Sequence, residues 1–457
     1  MTAHLTTDFL RDVLIAAGAD VHFGGSAEIR DGVADSRQVQ PGALFAAFRG
    51  ERLDGNDFVD EAFDRGAPAV VCDRAPQAAP PGRTLAVADD TRAAMARLAS
   101  AWRQACGTAV VGITGTVGKT SAKELTAATL ARRLQTHRSK ENYNSFEGLP
   151  LALMSLRRDH EVSVLEMAMD RRGEIAQLCA IAKPRIGVVL NIGATHAEKV
   201  GTIDDIAREK LSLVRSLPPD GTALLNADDP RVLAARDSLP CRVLTFGVAP
   251  EADLRARNIR DEGLEGVAFE VAFGKECAAA HSPLPGVHTL PAALTALGVC
   301  LALGISLGEA AGMLSQATPA GRMVPRRGKG GWLILDDRYN ASPASVEGAL
   351  RFLAAREGRR IAFLGGMAEL GAYSESEHRR IGRVVAECCD LAVVSGELAM
   401  PLADEAEQAG AAVVWFATKE EAAAWLAPRL RAGDVVLVKA SRGQAFETVI
   451  PRLEEGA

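Results

Sequence analysis

Short apolar runs alternate along this chain with longer stretches in which apolar positions return every three or four residues. Val110 to Thr114, Val162 to Glu166 and Ile186 to Leu190 have the length and branched side chains of buried strands. Helical patterns separate them, which predicts a mainly parallel sheet. Thr91 to Ala105 and Ser121 to Leu134 read as helices. From residue 321 onward strands are predicted at 332–335, 360–364, 391–394, 411–415 and 434–438, again alternating with helices. Two of those helices are predicted to open on capping boxes, Ser374 with Glu377 and Thr418 with Glu421. Up to about residue 107 the elements are short and mixed. The α/β pattern therefore divides into residues 1–107, 108–320 and 321–457, the last a doubly wound unit without the G-x-G-x-x-G signature of dinucleotide binding.

One helix breaks its own pattern. Between Thr202 and Leu217, Thr202 and Asp205 form a capping box, and Ile203, Ile206, Ala207, Leu211, Leu213, Val214 and Leu217 make an apolar face. Lys210 falls in the middle of that face. A lysine buried without a partner costs several kcal/mol or gives up its proton, so it needs an anionic partner or a chemical task. A neutral lysine can add CO₂, and the resulting carbamate offers two oxygens to a metal. The plainer alternative is an ammonium that snorkels to the surface.

Composition narrows the class of partner. The chain has 457 residues, 48% of them hydrophobic, enough for two or three domains with their own cores. A net charge of −6 and no run of Lys/Arg give no electrostatic footprint for nucleic acid or an anionic membrane, so a small-molecule substrate is expected. Eight cysteines lie scattered without metal-ligand spacing, the first residues lack a leader pattern, and no window approaches a membrane span. These features predict a cytoplasmic protein with reduced thiols.

The candidate chemistry gathers at predicted strand ends. Gly112-Ile-Thr-Gly-Thr-Val-Gly-Lys-Thr120 fits the phosphate-loop pattern and lies between a strand and a helix, as that motif requires. Gly115 and Gly118 let N–H groups turn toward phosphate oxygens, Lys119 reaches the β/γ-phosphates, and the Thr120 hydroxyl can hold Mg²⁺. Thr116 and Ser121 complete the expected nucleotide contacts. An ordinary glycine-rich turn is the alternative. Glu166 and Asn191 close two further strands, with His196 shortly after. Glu166 can bind Mg²⁺ or cap the next helix, and His196 can serve the site or sit in a loop.

With these residues in place, the chain resembles the Mur ligase family over essentially its whole length. Asp35-Ser-Arg37, Pro41-Gly-Ala-Leu-Phe45 and Asp54-Gly-Asn-Asp-Phe58 look like its amino-terminal UDP-binding module. Asn142-Tyr-Asn-Ser145, Asp336-Asp-Arg-Tyr-Asn-Ala-Ser-Pro343, Gly365-Gly-Met-Ala-Glu-Leu-Gly371 and Leu437-Val-Lys-Ala-Ser-Arg442 favour the member that joins D-alanyl-D-alanine to UDP-N-acetylmuramoyl-tripeptide. The resemblance implies a small α/β UDP-binding module, a central ATPase-like phosphate-loop domain and a C-terminal Rossmann-like domain. It implies ATP and Mg²⁺ as cofactors, with two ions held by Thr120, Glu166, His196 and a carbamylated Lys210, and a monomer. Lys119, Glu166, His196 and Lys210 would be catalytic. His288, Arg322, Asp336, Asp337, Tyr339 and Asn340 would meet the nucleotide. Ser36, Arg37, Phe45, Asn56, Asp57, Asn142, Asn144, Lys439, Ser441 and Arg442 would meet substrate. For Asp336, Asp337, Arg322 and Ser441, a strand-end turn, a linker charge and a helix cap are the plainer readings.

Several positions depart from the family pattern. Gly286-Val-His-Thr-Leu-Pro-Ala292 has Thr289 and Ala292 where asparagines are usual, which bears on adenine contacts. Arg338, Gly366, Ala440 and Asp170 also differ. A related ligase adding the third amino acid, a nucleotide-binding module without turnover, and a phosphotransferase are the competing functions.

Overall fold

The computed structural model describes residues 3–50, 52–74, 79–140, 142–193, 197–319 and 323–456. Three large sheets organise them, beside a two-stranded antiparallel pair of Leu5–Thr6 with Glu28–Ile29. The first has five strands in the order Asp20–His22, Thr84–Val87, Ala69–Cys72, Ala43–Ala46 and Asp31–Val33, parallel except at the Asp20–His22 edge. The central sheet has nine strands. From one edge they run Thr136–Arg138, Val162–Glu166, Ala109–Thr114, Ile186–Val189, Thr222–Asn226, Arg242–Gly247 and Leu254–Asp261, all parallel, and then Val267–Phe273 and Glu276–Ser282, each antiparallel to the strand before it. The third has six strands in the order Val324–Arg327, Leu333–Asp336, Val435–Lys439, Arg360–Leu364, Leu391–Ser395 and Val413–Phe416, only the first of them antiparallel.

The strands read from apolar runs are present within a residue or two. The antiparallel extension of the central sheet was not predicted. In Val267–Phe273 the buried residues are Val267, Phe269 and Val271, so one face is packed and the other wet. That alternation lacks the continuous apolar run of the parallel strands and is easily read as loop. The phosphate-loop helix starts at Lys119, two residues earlier than expected, and stops at Leu130.

Two of the three predicted capping boxes form, Thr202 with Asp205 and Thr418 with Glu421. Ser374 with Glu377 does not. A 3-10 turn, Gly371–Tyr373, leads directly into the helix Ser374–Cys388, so Tyr373 occupies the capping position and no side chain caps the end. The Ser374 carbonyl instead accepts from His378 Nδ1 at 2.7 Å.

Packing does not follow the chain divisions. One continuous core joins Leu5, Leu10 and Leu44 of the first unit to Leu165, Leu178 and Leu213 of the central one. The helix Thr91–Cys106, capped by Asp90 and ended by Gly107 at φ 69°, lies between them. Its Trp102 is 1% exposed, and the indole N–H donates to Leu156 O at 2.9 Å. The other face of the central sheet packs its own core around Ile113, Leu125 and Leu297, and the C-terminal sheet carries one core on each face. No helix among the described residues is long and apolar enough to cross a membrane.

Candidate functional site

The carboxyl ends of the central and C-terminal sheets face each other across a cavity of about 460 Å³. This is where parallel α/β sheets collect ligand groups, because the loops and helix N-termini that follow each strand open there.

The phosphate loop forms the floor. Gly118 has φ 83°, a left-handed conformation that favours glycine, and a Cβ on Gly115 would lie 2.8 Å from Leu190 Cβ. Both glycines are therefore required by shape. The helix that begins at Lys119 turns its first N–H groups toward the cavity, and those groups have no intrahelical partner. Thr116, Gly118, Lys119, Thr120 and Ser121 all line it. Lys119 Nζ donates to Gly115 O at 2.9 Å and Thr116 O at 3.1 Å, so its charge rests on the loop.

Glu166 is placed beside this floor and does not cap a helix. Its carboxylate accepts from Thr120 Oγ1 at 2.9 Å and from Asn144 Nδ2 at 2.8 Å. Its own N–H donates to Ser139 Oγ at 3.2 Å. Ser139 is anchored in turn by Lys123, a fully buried lysine that donates to Ser139 O at 2.8 Å and pairs with Glu124 at 2.9 Å. No sequence motif marks Ser139 or Lys123; a lysine on a helix face that proves to be interior was the available signal.

Lys210 is 1% exposed, and its Nζ donates to Gly115 O at 2.9 Å. It does not snorkel. Burial, and then the nearby Lys119 charge, lower its pKa well below the ordinary lysine value, which favours the neutral amine. The neighbouring Glu209, not singled out from sequence, accepts from Gly173 N–H and Ile175 N–H at 2.8 Å each and so caps the start of helix Glu174–Ala182.

Thr120 and Glu166 supply hard oxygen donors to one point, which suits Mg²⁺, an ion that takes few protein ligands and keeps waters. Among the described residues no three His, Cys, Asp or Glu side chains gather as a metal site. His196 and Arg322 lie outside the described residues.

The C-terminal unit supplies the opposite wall. Asp337, Tyr339, Asn340, Lys439, Ser441 and Arg442 face the same cavity as Asn142 and Asn144. Lys439 Nζ donates to Asp337 Oδ2 at 2.6 Å and Asn340 O at 2.9 Å, which fixes the turn at 337–340. Ser441 caps nothing; its hydroxyl accepts from Ala368 N–H at 2.8 Å and donates to Ala341 O at 3.3 Å, tying three strand ends together. Arg442 donates to Tyr339 Oη at 2.8 Å. Asp336 does not join this wall. Its carboxylate is held by Arg326 at 2.7 Å and Arg338 at 3.0 Å on the far side of the strand end.

On the remaining wall His288 is exposed to the cavity, although the protein crowded around its ring lowers its pKa. The Thr289 hydroxyl donates to Gly286 O at 2.7 Å. Ala292 is buried beside Leu284 and Leu290.

The five candidates in the first unit stand apart from this cavity. Phe45 is fully buried among Val33, Phe63 and Val70, so its ring is part of the core. Asn56 is a structural pin whose amide donates to Asp54 and Asp73 at 2.7 Å each and accepts from the N–H groups of Asp73 and Arg74. Ser36 donates to Glu61 at 2.8 Å. Arg37, with its side chain 80% exposed, pairs with Asp35, and Asp57 pairs with Arg74.

Known proteins match this arrangement along its length. Family profiles described as Mur ligase family, catalytic domain; Mur ligase middle domain; and Mur ligase, glutamate ligase domain match residues 33–103, 113–300 and 321–442. A UDP-N-acetylmuramoyl-tripeptide--D-alanyl-D-alanine ligase of Bacillus subtilis is 32% identical over 92% of both chains. Its Escherichia coli counterpart is 33% identical over 92% of this chain and 93% of its own. Among solved structures, MurF from Acinetobacter baumannii aligns over 99% of both chains with a TM-score of 0.87 at 28% identity. MurF from Thermotoga maritima in complex with ADP aligns over 93% of this chain and 97% of its own, with a TM-score of 0.78 at 30% identity. Since all three units match in one order and two relatives above 30% identity span nearly the full length, the chain belongs to the Mur ligase family.

Proposed function

We propose that the protein is an ATP-dependent amide ligase that joins D-alanyl-D-alanine to UDP-N-acetylmuramoyl-tripeptide in peptidoglycan precursor synthesis, releasing ADP and phosphate. The observation that carries this reading is the cavity itself. One wall is the phosphate loop with Glu166, backed by Lys210 on the Gly115 carbonyl behind it, and the facing wall is the 337–340 turn with Arg442. The names of the full-length relatives, and the ADP complex of the Thermotoga protein, support the substrate and nucleotide assignments.

In the proposed reaction the terminal carboxylate of the tripeptide attacks the γ-phosphorus, ADP departs, and an acyl phosphate forms. Lys119 and the helix N-terminus behind the loop offset the charge that builds on the transferred group. The free amine of D-alanyl-D-alanine then attacks the acyl carbon and loses a proton, the amide forms, and phosphate leaves with its electron pair. The same cationic floor stabilises the oxyanion in between. Thr120 and Glu166 would hold one Mg²⁺, and His196 with a carbamylated Lys210 a second; bound there, the ions supply charge neutralisation. Residues 321–457 bring Asp337, Tyr339, Asn340 and Arg442 against the nucleotide, and their approach excludes water that would hydrolyse the acyl phosphate. Residues 1–107 take the UDP end and residues 108–320 the ATP. The protein would act as a cytoplasmic monomer without nucleic acid or membrane partners.

The test is phosphate release with ATP and Mg²⁺, the tripeptide substrate and D-alanyl-D-alanine being added separately and together, with product mass measured. Release that requires both, with the UDP-linked pentapeptide formed, is the expected result. Release driven by a different amino acid, or ATP turnover with no amide product, would overturn it.

A further inference from the structure

Asn191 lies two residues past the strand Ile186–Val189, beside the phosphate loop, and is used by none of the steps above. Its side chain is nevertheless built into the loop. Oδ1 accepts from Thr116 N–H at 3.0 Å and from Val117 N–H at 2.9 Å, and Nδ2 donates to Val117 O at 3.0 Å. Thr116 N–H also reaches Asn191 O at 3.0 Å. Two residues on, Gly193 N–H donates to Thr116 Oγ1 at 2.7 Å, and that hydroxyl lies 3.3 Å from Gly193 O. Residues 191–193 thus fasten both backbone and side chain at the loop tip.

We propose that Asn191 is a positioning residue that divides the loop into two parts. The Thr116 and Val117 amides are committed to Asn191 and hold the loop open before nucleotide arrives. Phosphate recognition falls to the amides from Gly118 to Ser121, at the helix N-terminus. The division follows from hydrogen-bond accounting: a backbone N–H has one proton to give, and here two loop protons already have well-placed acceptors within the protein. A loop fastened in its bound shape spends less conformational entropy on binding, so the clamp acts on nucleotide affinity. This inference rests on the ATP reading above.

Backbone amide exchange, followed by NMR with and without ADP and Mg²⁺, tests it in the unaltered protein. Thr116 and Val117 are expected to be protected without nucleotide and to change little on its addition, while Gly118, Lys119 and Thr120 gain protection. Rapid exchange at Thr116 and Val117 without nucleotide would overturn the proposal whether or not the protein proves to be a ligase. If no ADP binds at all, the ATP reading fails separately.

Substitution gives an independent readout. Asn191→Ala is expected to raise the KM for ATP and the Kd for ADP tenfold or more, with the KM values of the other two substrates within twofold and an intact thermal transition. Asn191→Asp keeps the acceptor for both amides and loses only the donor to Val117 O, so it should fall between wild type and the alanine variant. An alanine variant that melts earlier but binds ADP as wild type does would show the contact to be merely structural.

Discussion

Lys210 is the residue whose place in the helix is legible in the sequence itself, because a 3.6-residue period puts it among leucines and valines. Its burial against Gly115 O favours the neutral amine, the form that adds CO₂. With ¹³C-bicarbonate, a carbamate carbon signal is expected from the protein and should vanish in Lys210→Ala; an unchanged signal would assign it elsewhere. Gly366 makes a different point. A Cβ there would lie 2.8 Å from Leu398 Cβ, so Leu398 fills the space that any side chain at this position would need. Gly366→Asp should therefore destabilise the protein by about 1–3 kcal/mol, the usual scale of overpacking. Leu398→Ala in the same chain should recover part of that loss, and thermal melts of both variants decide it. Motifs located Lys119, Thr120 and Glu166 because strand–loop–helix geometry is local. They did not foretell where Phe45, Asn56 and Asp336 point, into the core, onto Asp54 and Asp73, and toward Arg326, because direction is set by packing that a linear pattern does not contain.

At the scale of elements, the edge strand Thr136–Arg138 is pinned through one histidine. His137 is buried with Nδ1 2.8 Å from Ser163 Oγ and Nε2 3.1 Å from Ser155 Oγ, and burial pushes its pKa down to about 3. The unfolded chain, with an ordinary value near 6.5, takes up the proton first. The stability tied to neutral His137 is therefore complete above about pH 6.5 and is lost as pH falls toward 3, at up to about 1.4 kcal/mol per pH unit. Urea unfolding between pH 7 and 4 should show this slope, and His137→Gln should flatten it; an equal slope in both proteins would locate the proton elsewhere. Strands buried on both faces were legible as apolar runs. The strands from Leu254 to Ser282 were not, because only alternate residues are buried and the alternation is interrupted by a register shift between Arg257 and Arg260. The failed Ser374 box has a similar cause: the right residue pair is present, but an incoming 3-10 turn leaves no extended residue to serve as a cap.

For the molecule as a whole, the shared core matters more than the three-part chain layout. Trp102 stands between the first unit and the central sheet, and Trp102→Ala should cost about 3–5 kcal/mol. Calorimetry is expected to show one transition for residues 1–320 and another for the C-terminal unit, with only the first lowered by this change. Separate melting of the first and central units would contradict a common interior. The outline of three units was legible because each has its own run of strands, whereas the fusion of two interiors depends on contacts between residues as distant as Leu5 and Leu213.

That fusion makes the first two units a fixed ruler. If the uridine end of the substrate is held by the first unit and its carboxylate must reach the phosphate loop, the gap between them cannot stretch to suit a shorter peptide. One residue spans at most about 3.6 Å, so a UDP-linked dipeptide would stop short of the γ-phosphate by more than a bond-forming distance allows. It should bind without being phosphorylated, a result that competition binding and phosphate release can read from the same samples.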